Sequence, residues 1–280
     1  MSQLDVKWIT NVLRKSKVLG NSSVTSFSVD DVLDSGGFTN SLFRLNLHYD
    51  YIEIGSPASL ILKTPSKNDL VRGVTNLLQS NQREVDFYNN VPVIKELKTP
   101  HIYFGGQNEG TSDTIILMQD MASYTQGNSV LGCSSEEAEK LVSNIAIFHS
   151  AFWGSDKDYH IPLRNQQTQM YLDLYPGAWD SLLAKSKNFI PVGLKNLGQV
   201  VLKQIPVIKQ VLSFCPTTIC HGDYRLDNVF FNDDKIVVFD WEYCVRGRGV
   251  YDVATFIAEA FSPTKRERCE IDLLKLYHST

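Results

Sequence analysis

The segment TTICHGDYRLDNVFFNDDKIVVFDWE, residues 217–242, concentrates polar residues whose types and spacing could do chemistry. His221, Asp223 and Asn228 sit on one loop, with Asp223 and Asn228 five positions apart. An apolar strand, Asn228 to Phe231, follows and anchors the loop. A second strand, Lys235 to Asp240, turns back on Asn232, Asp233 and Asp234, so the hairpin returns Asp240 beside the loop. A carboxylate and an amide oxygen are hard ligands suited to Mg²⁺, which keeps some of its waters and bridges phosphates. A second carboxylate, not tied to metal, can take a proton from an attacking hydroxyl.

The order H-x-D-x-x-x-x-N, then a strand, then Asp is the plan of kinase-fold enzymes, with Gly222 where protein kinases carry Arg. HGDYRLDN followed by FDWE resembles the aminoglycoside phosphotransferase and choline-kinase-like superfamily, in particular the branch labelled CHK or ecdysteroid-kinase-like. The resemblance implies a protein-kinase-like, two-lobed α+β fold with a β-rich N-terminal lobe and a mainly helical C-terminal lobe. It implies ATP and Mg²⁺ as cofactors and phosphorylation of a small-molecule hydroxyl. Carried over residue by residue, it makes Asp223 the catalytic base, His221 the brace of its loop, and Asn228 and Asp240 the Mg²⁺ ligands.

The first half of the chain offers matching partners. Lys63 ends the apolar run SLILK, and Glu84 follows 21 residues later in the helical segment REVDFYNN. In kinases a Lys on a strand and a Glu on a helix hold the α- and β-phosphates. Arg83, being cationic, cannot be the partner of Lys63. In DSGGFTNSLFRL, Gly36 and Gly37 permit close backbone approach, and Ser35, Thr39 and Asn40 can donate to phosphate oxygens. This turn resembles the superfamily's short gGxxN loop. ILMQDMAS is where the resemblance puts the hinge, with backbone at Gln119, Asp120 or Met121 meeting the adenine edge. His149 reads as a core histidine, and Asp252 as a tie between the catalytic region and the last helices. Glu242 is equally a metal or substrate contact and a surface acid.

These residues need a scaffold. Leu4, Trp8 and Val12 recur at helical spacing. Strand-like runs follow at Val24 to Val29, Leu42 to Tyr49, Leu60 to Lys63, His101 to Phe104 and Thr114 to Met118, with a polar helical region and a helical turn at Gln82 to Asn89 between the third and fourth. From Ser134 the pattern becomes long helices: one carrying Leu141, Ile145, Phe148 and Phe152 on a stripe, then Gln166 to Lys185, Gly193 to Phe214, Val250 to Phe261 and Lys265 to Tyr277. The division expected is a nucleotide-binding lobe over 1–118, a hinge over 119–126 and a helical catalytic lobe over 127–280.

Composition narrows the function. The 280 residues are 43% hydrophobic and 21% charged, with a net charge of −4, so the chain is globular and lacks the basic surplus of a nucleic-acid binder. It contains no run long enough to span a membrane and opens without the apolar stretch of a signal peptide. Five cysteines without a CxxC pair read as reduced thiols, and together these point to a cytoplasmic protein. Only about ten residues separate Asp240 from the helix near Val250, too few for a peptide-docking activation segment, so the expected acceptor is a small hydroxyl compound. Tyr171, Tyr175 and Trp179 would suit an apolar or cationic one. Relatives usually continue with further helices that complete the C-terminal lobe, so the expectation is either a naturally short chain or a fragment. Two rivals are a nucleotide-binding module that acts through partners, and a metal-dependent hydrolase built on His221, Asp223 and Asp240. The hydrolase leaves Lys63, Glu84 and the glycine turn without a task.

Overall fold

The computed structural model describes residues 4–31, 39–108, 113–186, 190, 191, 194, 196–233 and 235–280. The N-terminal lobe is one antiparallel sheet of β1 (Val24–Asp31), β2 (Asn40–Tyr49), β3 (Ser59–Pro65), β4 (Ile102–Gln107) and β5 (Thr114–Gln119), in the order β1-β2-β3-β5-β4. The two-residue period of a strand decides what each face touches. Leu60 and Leu62 of β3 and Leu117 of β5 pack with Ile9, Val12 and Leu13 of α1 (Val6–Lys15) on one face. Ile61, Ile116 and Met118 point the other way, onto Val85 of α3 (Ser80–Asn90). Lys63 is two residues from Ile61, so it too faces α3. Helix α2 (Asp69–Leu78) precedes α3 and starts on an Asn68 side-chain cap.

The second lobe is built on α4 (Ser135–Ala151), which opens with a capping box between Ser134 and Glu137. Leu141, Ile145, Phe148 and Phe152 are all buried, as their spacing predicts. Around α4 lie α5 (Thr168–Lys185), α6 (Leu197–Val211), α7 (Val250–Ala260) and α8 (Pro263–Ser279). Two small antiparallel sheets hold the catalytic segment: β7 (Thr218–Cys220) with β10 (Val245–Gly247), and β6 (Thr125–Gln126), β8 (Val229–Asn232) and β9 (Lys235–Val238) in the order β6-β8-β9. The lobes meet where Phe87 of α3 stacks on Trp241, centroids 3.8 Å apart and planes at 7°.

Several boundaries differ from the sequence reading. Asn228 lies in a 3-10 turn just before β8, and Asp240 lies two residues past β9. Asp240 has φ 66° and ψ 58°, a left-handed conformation that ends an extended strand. Gln119 is still paired in β5, and Thr125–Gln126 already pair with β8, so the segment outside both sheets is 120–124. Helix α6 begins at Leu197, and Gly193 lies outside the described residues.

Candidate functional site

Lys63 lies on interior strand β3, where Leu42 of β2 and Ile116 of β5 flank it. Its Nζ is 2.6 Å from Glu84 Oε2 and 2.6 Å from Asp240 Oδ1. One ammonium thus joins the sheet, α3 and the end of β9. Burial alone would lower the Lys63 pKa, yet Asp240, Glu84 and Glu242 together hold it well above its ordinary value. Burial pushes the Glu84 carboxyl up, against the pull of Lys63. Arg83 turns away, donating from Nη2 to the Leu78 carbonyl at 2.6 Å.

The loop with His221, Asp223 and Asn228 runs from β7 to β8. His221 Nε2 donates to the Phe239 carbonyl at 2.9 Å, and its Nδ1 accepts from the Asp223 amide at 3.2 Å. One nitrogen faces an acceptor and the other a donor, which places a proton on Nε2. His221 therefore ties the loop to the segment leading to Asp240. The Asp223 carboxylate is oriented from two sides: Asn228 Nδ2 donates to its Oδ2 at 2.9 Å and to its backbone carbonyl at 2.9 Å, and Arg225 Nε lies 3.2 Å from Oδ2. Both Asn228 amide bonds therefore go to Asp223. Arg225 is a site residue the sequence reading passed over, although it lies inside the motif.

Beneath the loop, Asp252 of α7 is fully buried and receives the backbone N–H groups of His221 (2.6 Å) and Gly222 (3.0 Å). His149 Nε2 donates to it at 3.2 Å, while His149 Nδ1 pairs with the Tyr277 hydroxyl at 2.9 Å. Burial opposes ionisation of Asp252, but the His149 hydrogen bond and charge, His221 and the Gly222 N–H lower its pKa. Both residues take the structural places expected of them. Gly222 has φ 87°, and a Cβ there would lie 2.0 Å from the Tyr243 carbonyl oxygen. No side chain fits, which is a physical reason for glycine at the position between His221 and Asp223.

Glu242 is 1% exposed and so is not a surface acid. Its oxygens accept from Thr39 Oγ1 at 2.9 Å and Asn40 Nδ2 at 2.8 Å, joining the start of β2 to the turn that follows Asp240. Ser35, Gly36 and Gly37 lie outside the described residues. In the 119–121 segment the side chains are engaged within the protein. Asp120 accepts from Arg44 Nε and Ser59 Oγ, each at 2.6 Å, and from the Ala122 amide at 3.0 Å. Gln119 Oε1 accepts from the His101 amide at 3.3 Å, and Met121 is buried with its carbonyl bonded to the Tyr124 amide. Carboxylate oxygens of Glu84, Asp240 and Glu242 lie within 4.8 Å of one another, a donor set of the hard type that suits Mg²⁺.

Residues 121–280 match the Phosphotransferase enzyme family. The chain belongs to that family. Solved structures of similar fold include a choline kinase from Cryptosporidium parvum Iowa II, with a TM-score of 0.59, 15% identity, and coverage of 98% of this chain and 78% of that chain. An amicoumacin kinase in complex with AMP-PNP, Ca²⁺ and Ami has a TM-score of 0.56 and 14% identity, covering 99% of this chain and 78% of the other. Mouse acyl-CoA dehydrogenase family member 10 is 31% identical over 98 residues, covering 30% of this chain and 9% of that protein. The chain thus spans about a tenth of the length of that curated relative. The kinase-like fold that the sequence motif implied is the fold observed.

Proposed function

We propose that this phosphotransferase moves the γ-phosphoryl of ATP to a hydroxyl of a small molecule. The observation that carries the reading is the Lys63 ammonium, 2.6 Å from both Glu84 and Asp240, beside a loop that holds Asp223 between Asn228 and Arg225. Lys63, fixed by Glu84, binds the nucleotide phosphates, with backbone near Gln119, Asp120 and Met121 meeting the base. Thr39 and Asn40 lie at the phosphate end, and Ser35, Gly36 and Gly37 are assigned there from sequence. Asn228 and Asp240 would hold Mg²⁺, which neutralises charge on the phosphates when bound.

Asp223 orients the acceptor hydroxyl and accepts its proton. The hydroxyl oxygen forms a bond to the γ-phosphorus, the bond from that phosphorus to the β,γ-bridging oxygen breaks, and ADP leaves with the electron pair. Most of the rate enhancement then comes from positioning and charge stabilisation. The path from Asp240 to Val250, where α7 starts, favours a small acceptor over a peptide. The five cysteines are unpaired thiols, which suits a reducing, cytoplasmic setting. Among the described residues no helix is long and apolar enough to cross a membrane.

The test is thermal stability with ATP, with and without Mg²⁺. ATP at about 100 times its Kd adds about 2.7 kcal/mol, and the metal deepens the effect. Asp240→Asn should abolish both the Mg²⁺-dependent part of that shift and turnover. A wild-type protein that ignores MgATP, or a mutant with unchanged turnover at saturating Mg²⁺, overturns the reading.

A further inference from the structure

Three cationic side chains from distant parts of the chain gather on the side of the catalytic loop away from Lys63. Arg83 of α3 is 4% exposed, Arg164, at the start of the 3-10 turn leading into α5, is 6% exposed, and Lys209 of α6 is half-buried. The Arg164 guanidinium carbon lies 3.5 Å from the ring centroid of Tyr251, and its Nε and Nη2 are buried without a hydrogen-bond partner. Lys209 Nζ lies 3.4 Å from the centroid of Tyr171, and Tyr171 in turn lies in the fields of Arg164 and Arg83. Burial first, and then the charges of Arg164 and Arg83, lower the Lys209 pKa to about 8. Among the described residues none of the three forms an ion pair.

The Tyr243 phenol lies in the fields of Glu242, Asp240 and Asp223 and also of Tyr171. Glu242, the acid whose field reaches Arg83, is already held by Thr39 and Asn40. Burying like charges without a counter-charge is unfavourable, and guanidinium forks match carboxylate and phosphate oxygens. The aromatic residues that sequence offered to a cationic acceptor are otherwise engaged: Lys209 covers Tyr171, and Tyr175 stacks on Trp179 with centroids 6.1 Å apart.

We propose that the acceptor carries an anionic group, a carboxylate or a phosphate, seated against Arg164, Lys209 and Arg83, with its hydroxyl reaching past Tyr243 to Asp223. The direction of the hydroxyl rests on the phosphotransferase reading above; the anion seat does not.

The test reads Lys209 in the wild-type protein. Acetylation by an N-hydroxysuccinimide ester at pH 8 is followed lysine by lysine with peptide mass spectrometry. The probes are glycerate, glycerol 3-phosphate, neutral glycerol and choline, each with and without MgADP. An anion at ten times its Kd should slow modification of Lys209 about tenfold, while glycerol and choline leave it unchanged. Protection by glycerate alone, by glycerol 3-phosphate alone or by both identifies a carboxylate, a phosphate or a general anion seat. Arg164→Gln should remove the protection and Arg164→Lys should keep part of it. No protection by either anion, or equal protection by glycerol or choline, overturns the seat. A protein that fails to bind MgATP yet shows the protection loses the phosphotransferase reading and keeps the seat.

Discussion

The two charged groups flanking the catalytic loop are built in opposite ways. Around Lys63 a single cation is enclosed by Glu84, Asp240 and Glu242, all on strands, helices or turns locked into a core. Around Tyr171 three cations stand together with no acid paired to any of them among the described residues. The first group has its counter-charges built in, so it can be rigid before any ligand arrives. The second leaves a charge deficit that a ligand can fill, and so discriminates by charge. Preorganisation and selectivity are thus assigned to different sides of one loop.

That contrast can be broken in steps. Asp223→Asn should have the largest effect, lowering phosphoryl transfer by at least ~10² in acceptor-dependent kinetics. ATP affinity, measured by calorimetry, should be unchanged, because Asp223 is bonded to Asn228 and Arg225 and not to Lys63. Weakened ATP binding would instead make Asp223 part of the nucleotide side.

Phe87→Ala comes next. It removes the ring stacked on Trp241 and should cost about 3–5 kcal/mol in denaturant unfolding. The loss should also loosen Glu84, three residues earlier on α3, and raise the Kd for MgATP. Unaltered stability would show that the lobes are joined elsewhere.

The smallest effect sharpens the other side. Lys209 has a folded pKa of about 8, below its ordinary 10.5, so between these values the unfolded chain binds more protons. Stability should therefore rise as pH increases from about 8 to 10.5, by something on the order of 1 kcal/mol. Lys209→Met should remove that rise, as seen in urea midpoints across the window. A rise that persists in the mutant assigns the titration to another group.

Legibility differs between the two sides for a physical reason. The loop with His221, Asp223 and Asn228 and the turn with Asp240 are contiguous in the chain, so the residues they bring together could be named from spacing. Lys63 and Glu84 were reachable because a strand end and a helix flank them. Arg83, Arg164 and Lys209 are separated by 81 and 45 positions and meet only through tertiary packing. No periodicity connects them. The short strands β6, β7 and β10, two or three residues each, are below the length at which alternation can be read. Glu242 was undecided from sequence because its burial depends on Thr39 and Asn40, some 200 positions away.

Helix α3 follows the first three strands in sequence, yet Phe87 and Val91 belong to the same apolar cluster as Leu141, Phe148 and Trp241. The cooperative unit therefore does not follow the order of the chain. In hydrogen exchange, the amides at the end of α3 should open together with α4 and the catalytic segment, while β1 and β2 exchange as a separate, earlier-opening unit. A cut between the lobes would strip α3 of the core that holds it. The part that carries Glu84 is, in folding terms, an extension of the half of the molecule that carries Asp223.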